Sequence, residues 1–396
     1  MGSILPIIMP DMQASPVHPS ASTPKRDTVF DGLRGVAALV VTFSHFVCAF
    51  LPAWLPIYSA SPAWIAHTPL ALLFNGSFPV AIFFVLSGFV IALTASKLAY
   101  PALLNCGVRY FRLAVPACAS TVYAWLLLKF FASDLESARA ALGSLWLYDT
   151  YGRDLPSFMA AFRNGLVDVF YTGDSAFNNV LWTMKKEFLG SCVIYLLYSR
   201  PVFRFRLYCL ITGLIATLCI QRFAYTAFFA GALIYETRMT HQYSQFSHAI
   251  LFALSLLLGM LTTPFLDLYP TLSVLNHMPT LVPGDTTMSL WVTLGAIGLV
   301  YSVRHLRAVR SVLMAWPAQF LGRISFGLYL THVPLLCTLF AGMAVSGVLP
   351  WPMRLTLMAV AYVPVILIAG YIFTRLVDEP TLGGLHRLRK WIWPAR

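Results

Sequence analysis

Apolar residues along this chain do not alternate with polar ones but run in long blocks separated by short polar or basic stretches. A helix needs about 20 consecutive apolar residues to cross a bilayer. Ten blocks meet or approach that length: residues 35–56, 77–96, 113–132, 181–199, 205–220, 222–236, 247–268, 288–303, 319–345 and 353–377. The pattern predicts an all-α polytopic membrane protein, a bundle of about ten transmembrane helices. The fifth, sixth and eighth blocks are short, and the fourth carries charge. Composition agrees: 59% of the 396 residues are hydrophobic and 11% charged, against roughly 25% charged in an ordinary soluble domain.

Between and around these blocks the chain offers few other units. Residues 1–29, rich in Pro and Ser, read as a disordered cytoplasmic tail. Their apolar stretch is too short for a signal peptide and has no basic residues before it, and Pro6 breaks the myristoylation pattern. Residues 30–380 form one membrane domain without a repeat of 20 to 50 residues, and residues 381–396 a basic cytoplasmic tail. The longest interruption, residues 133–180, is expected outside. It fits equally a lid over an outward-facing acceptor site and a variable surface loop. Asn75, Gly76 and Ser77 match the glycosylation pattern next to the second block.

The formal charge of +12 invites a nucleic-acid reading, but the distribution argues against it. With the N-terminus inside, the outside segments carry only Arg139, Arg153, Arg163, Arg222 and Arg354, and the other segments hold the remaining basic residues of the loops and tails. That asymmetry places both termini in the cytoplasm and leaves the bilayer, not a nucleic acid, as the partner, with some attraction to anionic lipid. The endoplasmic reticulum and the plasma membrane both suit such a protein. The seven cysteines lie in or beside apolar blocks without Cys-x-x-Cys spacing. They read as small packing residues, and no metal site is expected.

Ionisable groups at membrane depth are costly and default to function. In "FDGLRGVAALVVTFSHF", Arg34 and His45 are eleven residues apart, on nearly one helix face and separated by about 16 Å. Asp31 is placed to cap this helix. Gly32 and Gly35 admit a close neighbour, and with Arg34 the helix start suits an anion. The same residues also fit a basic helix end with a hydrogen-bonded interhelical histidine. Ser87 sits in "FFVLSGFVIAL", and Arg109 and Arg112 are one turn apart, a pair suited to phosphate. Glu187 follows Lys185 and Lys186 inside an apolar block, and Arg323 precedes His332 by nine residues, with Ser325 and Tyr329 between. Two histidines and a glutamate near one depth suggest proton transfer.

Together these stretches resemble the acyltransferase 3 family of integral membrane O-acyltransferases, in a compact fungal-type form without an appended soluble domain. The first carries that family's Arg-x10-His, "RYFRLAVPA" its Arg-x-x-Arg, and "LWTMKKEFLGS" is similar to its Trp-Ser/Thr-Leu-x-x-Glu stretch. "LGRISFGLYLTHVPL" and "RLVDEPTLGGLHRL" resemble its closing segments. The resemblance implies transfer of an acyl group, commonly acetyl, from acetyl-CoA or another acyl-CoA to a hydroxyl of a carbohydrate, lipid or small secondary metabolite. His45 would be the base, with Glu187 and His332 as further catalytic candidates. Arg34, Arg109 and Arg112, with Asp31 and Arg323, stand on the donor side. Met184 replaces the usual Leu, and Lys185 and Lys186 are departures that leave the surroundings of Glu187 open. The rival class is a multi-pass transporter or proton-coupled carrier, which would share buried charges but commonly shows inverted repeats.

Overall fold

A computed structural model describes residues 28–97, 101–152, 154–199, 202–237, 244–276 and 289–392. The tail expected over residues 1–29 therefore lies outside the described residues apart from its last two. Eleven principal helices make up the bundle: α1 (Thr28–Phe50), α2 (Ser77–Lys97), α3 (Ala102–Leu142), α4 (Trp182–Leu197), α5 (Arg206–Cys219), α6 (Phe223–Glu236), α7 (Gln245–Met260), α8 (Leu290–His305), α9 (Trp316–Leu335), α10 (Trp351–Phe373) and α11 (Glu379–Ile392). There is no strand among the described residues. This is an all-α membrane protein.

Each predicted block contains a helix, and among the described residues five helices are long and apolar enough to cross a membrane: α1, α2, α3, α9 continued to Val345, and α10 continued through α11. Helices α4 to α8 have 14 to 16 residues, about 21–24 Å, short of a hydrocarbon core of roughly 30 Å. Helix α3 instead exceeds its block. It starts after Pro101, contains Arg109 and Arg112, kinks where Phe131 leaves helical geometry, and ends at Gly143. Gly143 adopts φ 59°, the left-handed conformation that closes a helix, and its N–H bonds the Arg139 carbonyl. The first ten residues of the expected 133–180 loop are thus helical. The basic tail after residue 380 is helical as well, as α11.

Helix pairs meet through glycine. Packing of α1 on α9, α2 on α6, α7 on α8 and α9 on α10 forms the main contacts of the bundle. A methyl group on Gly88 would stand 2.0 Å from the Phe228 carbonyl oxygen, and one on Gly231 2.0 Å from that of Val85, so α2 and α6 touch backbone to backbone on both sides. The same holds between α1 and α9, where Gly35 faces the backbone of Gly322, and Gly322 faces the Asp31 carbonyl. In a lipid-like surround such close approach replaces the hydrophobic drive that assembles soluble bundles.

Asn75 illustrates how a polar residue is used at a helix start. Its Oδ1 accepts from the Ser77 and Phe78 N–H groups and its Nδ2 donates to the Gly259 carbonyl at 2.6 Å. The amide that glycosylation would modify is committed to joining α2 and α7.

Gly88→Ala should destabilise the protein by about 1–3 kcal/mol, the usual cost of overpacking, whereas Gly383→Ala, on α11 with no atom within 4 Å of the added methyl, should not. Thermal melting in detergent checks this; equal midpoints for Gly88→Ala and the parent would refute the close-contact account.

Candidate active site

The first turns of α1 lead, three turns on, to His45, and α9 brings His332 against it. His45 Nδ1 lies 2.8 Å from His332 Nε2, with the rings nearly parallel at 10°. His332 is fully buried, and its Nδ1 lies 3.1 Å from the Leu328 carbonyl oxygen. A carbonyl can only accept, so that bond requires the proton on His332 Nδ1. Nε2 of the neutral ring is then an acceptor, His45 must donate from Nδ1, and the lone pair of His45 is left on Nε2. The chain of bonds fixes both tautomers from one backbone oxygen.

The opposite side of the His45 ring is covered by Trp146, stacked at 5.2 Å. Trp146 belongs to a short helix, Leu145–Thr150, in the long segment between α3 and α4. Its position is fixed by two buried groups. Ser144 Oγ donates to the Cys48 carbonyl at the end of α1, and Arg139, 2% exposed, donates to the carbonyls of Leu147 and Tyr151. A guanidinium with five donors can satisfy several carbonyls of a non-helical turn at once. Arg139 reads in the sequence as a loop charge, and only its place one turn before the closing Gly143 hints at a structural task.

His45 and Trp146 form part of the wall of a cavity of about 340 Å³, closed by the helical turns of residues 52–74 and by Thr262, Pro264 and Phe265. A second cavity of about 150 Å³ contains Arg34, Arg109, Arg112 and Glu187. Val80 and Tyr329 line both. The Tyr329 hydroxyl donates to the Val180 carbonyl at 2.9 Å and lies 3.2 Å from Thr183 Oγ1, so this ring is held as a partition between the two spaces. One turn further along α9, Pro334 has no N–H for the Leu330 carbonyl, and Asn178 Nδ2 fills the gap at 2.8 Å. The strand of chain before α4 is thereby pinned along α9 beside both His332 and Tyr329.

In the second cavity the charges are paired across helices. Arg109 bonds Glu187 and reaches Ser191 Oγ at 3.0 Å, and Ser87 Oγ donates to Glu187 at 2.6 Å. Arg112 bonds Asp378 with both terminal nitrogens. Asp378, 5% exposed, sits in a π-turn, Thr374–Asp378, that joins α10 to α11. The wall itself carries three arginines and one glutamate, a formal +2.

The structure assembles the predicted residues into two groups rather than one. His45 and His332 meet directly, and Arg34, Arg109, Arg112 and Glu187 share the second cavity, so Glu187 is away from the histidines. Asp31 is not the helix cap: α1 starts at Thr28, and Asp31 lies in its first turn with its carbonyl against Gly322. Gly32 and Gly35 abut Leu313, Leu321 and Gly322, which leaves that backbone no room to cradle an anion. Arg323 is half exposed and bonds Glu379 at 2.7 Å, which Arg375 also engages. It does not line the cavity, because it turns instead to Glu379, the first residue of α11. The lysines before Glu187 turn elsewhere, Lys185 to the Thr172 carbonyl and Lys186 over the Trp182 ring. Asp378 and Trp146 are the members that sequence reasoning missed. An acid at the end of a long apolar block was the available signal for Asp378.

Among the described residues no cluster of His, Cys, Asp and Glu has the makings of a metal site. No solved structure matches the chain. A curated O-acetyltransferase, PaAT-1 of Phomopsis amygdali, is 27% identical over 366 residues, 78% of this chain and 72% of that protein. The family described as an acyltransferase domain matches residues 27–375, from the start of α1 into the π-turn that follows α10, and so takes in both cavities. With most of its length inside that match, the chain belongs to the acyltransferase 3 family and is an O-acyltransferase of the membrane.

Proposed function

We propose that the protein moves an acyl group, in the first instance acetyl, from acyl-CoA bound at the arginine cavity to an acceptor hydroxyl bound at His45, with His45 as general base. The observation that carries this reading is the pair of adjoining cavities: one positive, one holding a histidine whose free lone pair is fixed by its partner. Arg109 and Arg112 retain N–H groups beyond those they use, and Arg34 adds a third positive charge to the wall, which suits the phosphates of the donor. The thioester arm would pass Tyr329 to reach His45. There Nε2 takes the hydroxyl proton as the oxygen attacks the thioester carbonyl, and CoA leaves as the thiol once protonated. His332 accepts from His45 Nδ1 and so orients the ring and supports its positive form, the part a carboxylate plays in other triads. Ser87 and the arginines, all committed to or lining the other cavity, are poor candidates for the oxyanion at His45. The cytoplasmic orientation of the arginine end, the ten-span count and residence in the endoplasmic reticulum or plasma membrane belong to the same proposal.

A carrier would share the buried charges but has no need of a histidine with a defined tautomer. Purified protein decides between them: an acyl-transferring enzyme consumes acetyl-CoA, and a carrier does not.

His45→Ala should abolish transfer. His332→Phe should lower kcat about 100-fold, in the range of general-base contributions, with the donor Kd unchanged. His332→Gln, whose amide oxygen can accept from His45 Nδ1, should keep part of that activity. Wild-type turnover in His45→Ala would sink the base assignment, and equal loss in the Phe and Gln variants would sink the orienting role of His332.

For the donor, Arg109→Ala and Arg112→Ala should each weaken CoA binding by about 10- to 100-fold, the usual worth of a charge-assisted hydrogen bond, and binding should weaken with salt. Titration calorimetry with CoA reads this directly; affinities like the parent's would remove the phosphates from this cavity. Tyr329→Phe, which loses both hydroxyl contacts, should raise acetyl-CoA hydrolysis in the absence of acceptor relative to transfer in its presence. An unchanged ratio would mean that Tyr329 does not separate the two spaces.

A further inference from the structure

The larger cavity has a composition that selects among acceptors. We infer that it takes an uncharged, largely apolar, ring-containing alcohol, packed between Trp54, Trp146 and Trp182, rather than a sugar or a charged acceptor. The inference rests on the acyl-transfer reading for the task of His45 and names the acceptor class of that site. Among its described wall residues there is no Asp, Glu, Lys or Arg, in contrast with the cavity beyond Tyr329.

Four polar side chains of the wall, those of Asn75, Thr262, Ser289 and Tyr329, are spent on the protein's own backbone. Asn75 uses Oδ1 for two N–H groups of α2 and Nδ2 for the Gly259 carbonyl. Ser289 Oγ accepts from Val292 and donates to the Leu261 carbonyl, and Thr262 Oγ1 caps Phe265. A sugar brings a hydroxyl on nearly every carbon. Each one buried without a partner costs about 1–3 kcal/mol, and among the described wall residues no carboxylate, ammonium or guanidinium stands ready to bind several at once. An alcohol with one hydroxyl needs only one, and His45 provides it.

Size and shape agree. At about 340 Å³ the cavity is at the small end of those that hold drug-sized ligands, too small for a stretch of polysaccharide. Three indole rings line the space, Trp146 with one face against His45 and Trp182 with one face under Lys186, and the aromatic surface that remains rewards a fused ring more than a flexible alkyl chain. Trp146 covers one face of the His45 ring, so a ring packed beside it brings a substituent hydroxyl to the edge of the imidazole. The Leu145–Thr150 turn, held by Arg139 and Ser144, then serves as an acceptor wall as well as a support for His45.

The test uses the full-length protein in lipid nanodiscs, with empty nanodiscs subtracted. Borneol and 2-naphthylmethanol serve as apolar ring alcohols, chitobiose and glucose as sugars, and dodecanol as an alkyl alcohol. Energy transfer from tryptophan to the naphthyl ring reports direct binding, and the other probes are scored by competition. The expected result is saturable binding of 2-naphthylmethanol, displaced by borneol at concentrations at least about tenfold below those needed for dodecanol or either sugar, a difference of 1.4 kcal/mol. Trp54→Ala should weaken it by about tenfold, and Trp54→Phe should restore most of it. Sugars or dodecanol competing as well as borneol, no saturable binding, or an unaffected Trp54→Ala would each overturn the assignment. Acetyl-CoA turnover in the same preparation separates the two claims. Ring alcohols that bind in a protein inert toward acetyl-CoA would sink the acyl-transfer reading and leave the cavity assignment. His45-dependent turnover with sugars as the preferred acceptors would do the reverse.

Discussion

A charge taken into an apolar bundle must carry its partner with it, and for Arg109 and Arg112 in the charged cavity the partner comes from another part of the bundle. Arg109 on α3 meets Glu187 on α4, which also receives Ser87 from α2. Arg112, one turn along α3, meets Asp378 beyond α10. Leaving one such group unpaired costs several kcal/mol, which is more than most interhelical contacts supply. The pairs therefore set which helices face α3 and in what register. The fold and the positive cavity are consequences of one requirement: the arginines that make the cavity positive are the same groups that hold its walls together.

Helix α1 converts this arrangement into a relation between two sites. Arg34 faces the charged cavity and His45 the aromatic one, and the ten residues between them fix a separation of about 16 Å along one face. Neither end can shift alone, because Gly35 presses on α9 at Gly322 and the Tyr362 hydroxyl holds the Thr42 carbonyl at 2.8 Å. On the acyl-transfer reading this rigid ruler matches a donor with its phosphates at one end and its reacting carbon at the other, so the gap between Arg and His is set by the donor's arm.

The sequence displayed the spacing but not the partition. Hydropathy located every principal helix within the membrane domain, because long apolar blocks have one solution in lipid. Arg34, Arg109, Arg112 and Glu187 stood out as charges in such blocks, and His45 and His332 as histidines at similar depth. What could not be read was pairing: that Glu187 answers Arg109 rather than its adjacent lysines, or that Asp378 answers Arg112 while Arg323 turns to Glu379, depends on which helices touch. The reading of Asp31 and its glycines as an anion cradle failed for the same reason. Small residues at a helix start serve a ligand or a neighbouring helix equally well, and here α9 occupies the space. The tryptophan over His45 lay in a loop segment with no periodic signal at all.

The His45–His332 pair bears most directly on what kind of catalyst this is. In soluble triads a carboxylate orients the histidine and offsets its charge after proton transfer. A carboxylate at the depth of His332, fully buried among apolar helices, would itself need a counter-charge, and Arg109 and Arg112 are already paired elsewhere. A neutral imidazole held by the Leu328 carbonyl provides the acceptor without importing charge, and it gives up less electrostatic support in return. The stacked ring of Trp146 offsets part of that loss, since an imidazolium is attracted to an indole face. On the general-base reading of His45, the site thus trades the strong field of an ion for a neutral relay and a polarisable wall, a solution suited to chemistry where every uncompensated charge is costly.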